Sequence, residues 1–212
     1  MKTLISILVL SAGIMLVSGC ASSGYQKADT TSTSRQEAAE GLENALAPLD
    51  NVVATLADLV THRGRDLTPQ FKKFSAAVAK LESRANEASG RTATIQAEGS
   101  SYFQKWDEEL AKIQNDDIQT RSKDRKDAVA ARFERVRASY VQTTADFAAF
   151  LSDLKDIRTA LATDLTAGGL NSVRSLADKT AERAPTLRRS LMQLSTEVKN
   201  LGVSLSSGPP KS

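Results

Sequence analysis

Two side chains of this sequence could carry covalent or acid–base chemistry: Cys20 has the only thiol, and His62 has the only imidazole. A nucleophile needs a base within reach, and a metal needs several His, Cys or acidic ligands at short spacing. The chain after Cys20 has no second histidine, no glycine-rich phosphate loop and no such ligand cluster. We therefore expect no enzymatic activity, catalytic residue, cofactor, metal or small-molecule substrate. We expect His62 to be a solvated group near the end of a helix.

The chain starts with the pattern of an export signal. Lys2 supplies the positive start, and residues 4–17 form an apolar run, which is shorter than the ~20 residues that a membrane-spanning helix needs. The run ends in VSGC at residues 17–20, which resembles the lipobox of bacterial lipoproteins, where the chain is cut before the cysteine and the cysteine carries the lipid. This implies a signal peptide over residues 1–19 and lipidation of Cys20. The alternatives are a plain secretory signal with a chance cysteine, or a short apolar helix that stays buried.

The residue after Cys20 bears on the location of the protein. Ala21 stands where the inner-membrane retention signal of enterobacterial lipoproteins has an aspartate. The resemblance therefore implies a lipid-anchored, periplasm-facing protein of the cell envelope, at the outer rather than the inner membrane. Its membrane contact would be the lipid on Cys20, because multi-chain lipidation gives stable anchoring.

The segments on either side of the main body are small, polar and without periodicity. Residues 20–33 have the composition of a flexible tether behind the lipidated cysteine, and residues 206–212 predict a disordered tail. Ser34–Glu37 has the pattern of a capping box, which predicts that the helical bundle, residues 34–205, begins there. Its first helix should kink at Pro48 and end at Gly64.

The strongest pattern in the chain is a pair of apolar heptad runs between Leu67 and Leu165, separated by a polar turn at Asn115–Asp117. The pair predicts an antiparallel hairpin of two long helices. Acidic residues predominate before the turn and basic residues after it, which favours this register. The predicted inward positions are Leu67, Phe71, Phe74, Val78, Leu81, Ala85, Ala88, Thr92, Ile95, Gly99, Tyr102 and Trp106, then Val129, Phe133, Val136, Tyr140, Thr143, Phe147, Phe150, Leu154, Ile157 and Leu161.

Shorter stripes flank the hairpin. The first helix has Leu42, Leu46, Leu49, Val53, Leu56 and Val60, and the last has Val173, Ala177, Thr180, Ala184, Leu187, Leu191, Leu194, Val198, Leu201 and Leu205. We expect Gly168-Gly169 to close the third helix and Pro185 to kink or divide the fourth. The predicted fold is all-α: an elongated antiparallel bundle or coiled coil of about four helices. Because the outer helices are shorter, the central hairpin should project beyond about Ile95 and Val129.

Five aromatic residues lie at or just below this predicted step in helix coverage. Aromatic rings can fill the end of a narrowing core or contact another molecule, and aromatic residues at heptad spacing are usually core. We favour the core interpretation and keep partner contact as the alternative. The five residues are Tyr102, Phe103, Trp106, Phe133 and Tyr140.

Three stretches carry a family resemblance: SYFQKWDEEL at residues 101–110, the segment from Arg132 to Tyr140, and the segment from Thr186 to Leu201. With these stretches the layout resembles a bacterial family catalogued as domain of unknown function 2959, over about residues 34–205. The resemblance implies a helical envelope protein. It supplies no activity and no site that could be carried over to these residues.

The balance of basic and acidic residues limits the classes of partner that we expect. The chain has 28 basic and 25 acidic residues, for a formal charge of +3, so we expect a solvated surface and no nucleic acid. The first functional hypothesis is a lipid-anchored helical scaffold or adaptor for another envelope protein or a second copy of the chain. The alternative is a membrane-surface module that binds or shapes a bilayer, which would need a basic stripe. Cell-wall attachment through a terminal lysine is disfavoured by the ending Lys211-Ser212.

Overall fold

The computed structural model describes residues 24–62, 64 and 66–205. Cys20, the signal peptide and the tail at 206–212 lie outside the described residues, so the predictions on them stay predictions. The described part is all-α and without strands, as predicted. Its five helices are α1 Gly24–Glu43, α2 Leu46–Thr61, α3 Thr68–Leu110, α4 Asp116–Thr163 and α5 Ala167–Leu205.

The five helices form four antiparallel arms, because α1 and α2 follow one another along a single arm. This arm packs between α3 and α5, and α4 packs between the same two helices on the other side. Three polar contacts fix the antiparallel register of α5 against the first arm. They join the Ser195 hydroxyl to the Ala39 carbonyl oxygen at 3.3 Å, Arg188 Nε to Asp50 Oδ1 at 3.1 Å, and Arg174 Nη2 to the Val60 carbonyl oxygen at 3.1 Å. The longest arm, α4, has 48 residues and is therefore about 72 Å long.

The core follows the predicted stripes most closely on α5. All ten predicted inward positions of this helix are buried, from Val173 to Leu205. Pro185 lies inside α5 but does not divide it. On α4, eight of the ten predicted positions are buried, and the other two, Val136 and Tyr140, are half-buried against the main core. The heptad pattern therefore identified the buried faces of both helices.

The start of the first arm differs from the prediction. Residues 24–33, expected to be part of a flexible tether, are helical, so Ser34 lies inside α1 rather than at its start. Once the turns at Ala39 and Leu42 are buried against the other arms, each further helical residue adds a hydrogen bond without a new nucleation cost. The segment after Gly24 also contains no proline or glycine that would stop the helix. α1 therefore continues ten residues further than the capping-box pattern predicts.

The first arm is also interrupted by a turn, which the sequence analysis did not predict. A turn at Asn44-Ala45 separates α1 from α2, and Pro48 lies in the first turn of α2, where it does not act as a mid-helix kink. Beyond the break, the predicted Leu49, Leu56 and Val60 are buried, and Val52 and Leu59 are buried beside them. The predicted Leu46 and Val53 are half-buried. The heptad stripe therefore identified the buried face of α2, although it did not identify the break.

The helix ends of the hairpin were predicted to within a few residues. Thr68 begins α3 with Pro69 in the first turn, and Asp66 Oδ1 accepts from the Thr68 amide at 2.9 Å. Hydrogen bonding from the Thr68 side chain, and also from its amide, lowers the pKa of the Asp66 carboxyl. Within the described residues, no helix is both long enough and apolar enough to cross a membrane.

Gly168 and Gly169 do not close the third helix as predicted, because they lie in the first turn of α5. The Gly169 amide donates to Thr166 Oγ1 at 3.2 Å, so Thr166 caps the helix start. A Cβ on Gly169 would overlap with the backbone carbonyl oxygen of Asp164. At Gly168 the nearest atom to a Cβ is Thr166 Oγ1 at 3.5 Å, which is ordinary contact. The two neighbouring glycines therefore differ in the space around them.

Gly169→Ala should lower the free energy of unfolding by about 1–3 kcal/mol, because the added methyl group must push the α4–α5 turn apart. Gly168→Ala is the matched control and should raise it by up to ~1 kcal/mol, because alanine favours a helix over glycine. Urea unfolding followed by circular dichroism measures both values. Equal effects of the two substitutions would contradict the close approach of Asp164.

Candidate functional site

The end of the α3–α4 hairpin is tied together by side chains from both helices. Asn115 Oδ1 accepts from the Ile118 amide at 3.0 Å and caps α4. The Gln119 side chain reaches back across the turn, and its Nε2 donates to the Leu110 carbonyl oxygen at 3.2 Å. Because the last carbonyls of a helix lack intrahelical donors, this contact satisfies the end of α3 as it joins the two helices.

Two further contacts fix the register of α3 against α4 just below the turn. Trp106 Nε1 donates to Ser122 Oγ at 3.2 Å, and Lys126 forms an ion pair with Asp107. The predicted charge complementarity is thus realised in one ion pair between α3 and α4 in this part of the described hairpin. The neighbouring pairs lie along single helices, such as Lys105 with Glu108, whose hydrogen bond raises the pKa of the Lys105 ammonium group.

An aromatic cluster fills the core below these contacts. The Tyr102 ring lies 5.4 Å from the rings of both Phe103 and Trp106, and the Phe103 ring lies 5.7 Å from that of Phe133, measured between centroids. Leu205 from α5 completes the cluster. Burial raises the pKa of the Tyr102 hydroxyl, although the positive charges of nearby arginines oppose this shift. The hydroxyl is therefore neutral at physiological pH, which suits a site inside the protein.

Gly99 explains how the two long helices approach each other at this level. A Cβ on Gly99 would lie 2.5 Å from both Cε2 and Cζ of the Phe133 ring. The ring therefore occupies the space that any other side chain at position 99 would need. The glycine occupies a predicted inward heptad position because a bulky neighbour from α4 fills that position.

Arg35 is a member of this region that the sequence reading missed. It is only 1% exposed, and its guanidinium carbon lies 5.3 Å from the centroid of the Phe133 ring. This is the distance of a cation–π contact. Arg35 lies within the capping-box pattern at Ser34–Glu37, but the spacing Arg35, Ala39, Leu42 places it on the buried stripe of α1. A charged residue at an apolar heptad position was the signal that could have identified it.

The structure brings four of the five predicted aromatic residues together. Tyr102 and Phe133 are each 8% exposed, and Phe103 and Trp106 are half-buried against the same region. Tyr140 lies apart, half-buried against the main core. These positions favour the core interpretation, and the alternative of partner contact stays a prediction for the half-buried rings. His62, the other candidate, is half-buried and follows the last residue of α2.

The coverage of the hairpin differs from the predicted step on one side. On the α5 side, Arg125 Nη2 donates to the Ser204 carbonyl oxygen at 2.9 Å, so α5 reaches the level of Val129 as predicted. On the α1 side the prediction of a step near Ile95 is wrong, because Arg35 contacts Phe133 and α1 continues from there towards the turn for about 16 Å. The earlier start of α1 is the physical reason.

One large apolar side chain is exposed at the hairpin end. Ile118, in the first turn of α4, is 57% exposed. Ile113, in the connection between the helices, is half-buried. No group of three or more His, Cys, Asp or Glu residues in the described chain could hold a metal ion. The end of the hairpin therefore presents an exposed apolar side chain on an ordered turn, next to the exposed carboxylates of Asp116 and Asp117.

The fold and this site define a class of protein: an all-α bundle of four antiparallel arms, with a hairpin end held by polar contacts above an aromatic cluster. The chain belongs to the family described as "Protein of unknown function (DUF2959)", whose model matches residues 18–200. A search of curated proteins found no match, and neither did a search of solved structures.

Proposed function

We propose that this protein is a lipid-anchored adaptor of the cell envelope that binds another protein through the end of its α3–α4 hairpin. The observation that carries the proposal is the exposed side chain of Ile118 on a turn that several side chains hold in place. An apolar side chain exposed on an ordered turn can enter a pocket of a partner and become buried there. The gain from such burial is roughly 1.5–3 kcal/mol for one isoleucine.

The polar contacts around the turn support binding because they lower its entropic cost. Association usually requires side chains and loops to become ordered, and a site that is already ordered avoids part of this cost. Here the Asn115 cap, the Gln119 contact and the Trp106–Ser122 hydrogen bond restrain the turn before any partner arrives. The end of the hairpin is therefore suited to a specific contact between preformed surfaces.

A photoreactive amino acid in place of Ile118 should form a discrete adduct with another protein in intact cells. Val141 is the matched control, because it lies on the same helix and has the same exposed fraction, 57%. The same amino acid at position 141 should give no such adduct, because Val141 lies away from the turn. Immunoblotting after irradiation compares the two sites, and mass spectrometry of the adduct identifies the partner.

Three results would overturn the adaptor role at this site. Equal adducts at positions 118 and 141 would show that the contact does not depend on the turn. Absence of a protein adduct at position 118 would remove the site. Adducts with lipid alone would instead favour the membrane-surface module.

Location is the second part of the proposal and rests on the sequence at residues 17–20, which resembles a lipobox. We propose that Cys20 carries the lipid and that the protein faces the periplasm from the outer membrane. Cys20→Ala should block maturation or release the protein from the membrane, because the thiol that accepts the lipid is gone. Membrane fractionation and the mass of the purified chain measure both outcomes. Recovery of the unmodified variant from the same membrane at wild-type yield would contradict lipid anchoring.

A further inference from the structure

A cavity of about 170 Å³ opens where all four arms meet beside the break between α1 and α2. Its floor is buried and mostly apolar: Leu42, Phe147, Leu191 and Leu194 line it, together with the buried side chain of Thr143. Its mouth carries exposed polar groups, the Asn86 amide and the Thr144 hydroxyl. The residues lining the cavity include no charged side chain.

The cavity has a clear structural origin. Leu42, in the last turn of α1, and Ala45, in the turn between α1 and α2, both line it. Small side chains, Ala85 on α3 and Ala148 on α4, line it from the facing helices. Protein cores are close-packed and rarely leave a space larger than a water molecule. An open cavity of this size that extends into the buried core is thus a feature that a ligand can use.

We propose that this cavity binds one small uncharged molecule whose hydrocarbon part is about the size of a single six-membered ring. The volume is close to the ~150 Å³ of an apolar cavity known to hold benzene. An apolar floor without charged residues disfavours an ionised ligand, because burial would remove its hydration without a counter-charge. The amide and hydroxyl at the mouth can bond one polar group on the ligand, so its apolar end enters first.

Toluene tests whether an apolar molecule binds at the floor of the cavity. Phenol tests whether the mouth also accepts a polar group, and benzoate is the charged control. At ten times its Kd, toluene should raise the Tm of the purified full chain by about 3–5 °C, because it binds the folded state alone. Phenol should do the same, and benzoate should leave the Tm unchanged. In the NMR spectrum of leucine methyl groups, the signals of Leu191 and Leu194 should move with toluene, and that of Leu205 in the aromatic cluster should not.

Ala148→Leu should abolish the toluene response, because the larger side chain occupies the mouth of the cavity. Ala149→Leu is the matched control: Ala149 is the next residue of α4, is also exposed and does not line the cavity, so its variant should respond like the wild type. Ala85→Leu is a second filling variant, from α3. A toluene response that survives in both filling variants would place binding elsewhere and overturn the proposal. So would an unchanged Tm together with unmoved Leu191 and Leu194 signals in the wild type.

Discussion

Phe133→Ala should lower the free energy of unfolding by about 3–5 kcal/mol, the range found when a buried aromatic side chain is truncated in a core. The ring projects from α4, is 8% exposed, and contacts both α1 and α3. It packs 5.7 Å from the Phe103 ring, against the Gly99 backbone and beneath the Arg35 guanidinium group. Because Gly99 has no side chain, its helix cannot fill the space that the ring would leave.

The loss of the Phe133 ring should also make the burial of Arg35 less favourable. The guanidinium group is buried, and without the ring it would lose one of the contacts that offset its lost hydration. The penalty should therefore lie in the upper part of the range. Phe133→Leu, which keeps most of the apolar volume, should cost clearly less than Phe133→Ala.

Urea unfolding of the purified full chain measures these differences. Val141→Ala is the surface control on the same helix, and because Val141 is 57% exposed, its effect should stay within about 0.5 kcal/mol. A loss below ~1 kcal/mol for Phe133→Ala would show that the ring is not part of the core at this level.

The parts of the fold that the sequence predicted are those in which one periodic pattern runs without interruption. On α5 the four- and three-residue steps continue past Pro185, and every predicted position is buried. The break in the first arm was missed for a different reason. Neither Asn44 nor Ala45 is a strong helix breaker, and the buried stripe continues beyond the turn at Leu49 and Leu56, so the pattern alone gave no sign of the turn. The N-terminal extension of α1 depends on packing against the other arms, which composition does not encode.

The same reasoning applies to the candidate site. Heptad spacing correctly placed Tyr102 and Phe133 in the core, because each ring falls on an inward position of its own helix. It could not find the contact between Phe133 and Arg35, which joins distant parts of the chain. The predicted turn at Asn115–Asp117 does place Ile118, rather than Val141, at the end of the hairpin. Heptad spacing could not supply the contacts that hold this turn in place, such as the hydrogen bond from Gln119 to the Leu110 carbonyl oxygen.

Trp106→Ala should lower the free energy of unfolding by about 2–3 kcal/mol while leaving the helix content intact. This lies below the ~3–5 kcal/mol of a fully buried aromatic residue, because the Trp106 side chain is only half-buried. Two contacts are lost: the edge-to-face packing against Tyr102, with ring centroids 5.4 Å apart, and the hydrogen bond from Nε1 to Ser122 Oγ. Circular dichroism gives the helix content, and urea unfolding gives the free energy.

Two variants separate these contributions. Ser122→Ala removes only the hydrogen-bond acceptor and should cost about 0.5–1.5 kcal/mol, the usual net contribution of one such bond. Trp106→Phe keeps an aromatic ring in the cluster and loses the same hydrogen bond, so it should lie between Ser122→Ala and Trp106→Ala. An effect of Ser122→Ala as large as that of Trp106→Ala would show that ring packing contributes little.

The same variant decides between the two roles considered for this ring. If Trp106 stabilises the hairpin end, Trp106→Ala should weaken the adduct at position 118 only as far as the turn loses its order, and the loss of stability should accompany it. An unchanged free energy of unfolding combined with a lost adduct would show instead that the exposed half of the ring contacts the partner directly. An unchanged free energy with an unchanged adduct would show that the Trp106–Ser122 contact does not hold the hairpin end, and the preformed turn would then have to depend on Asn115 and Gln119.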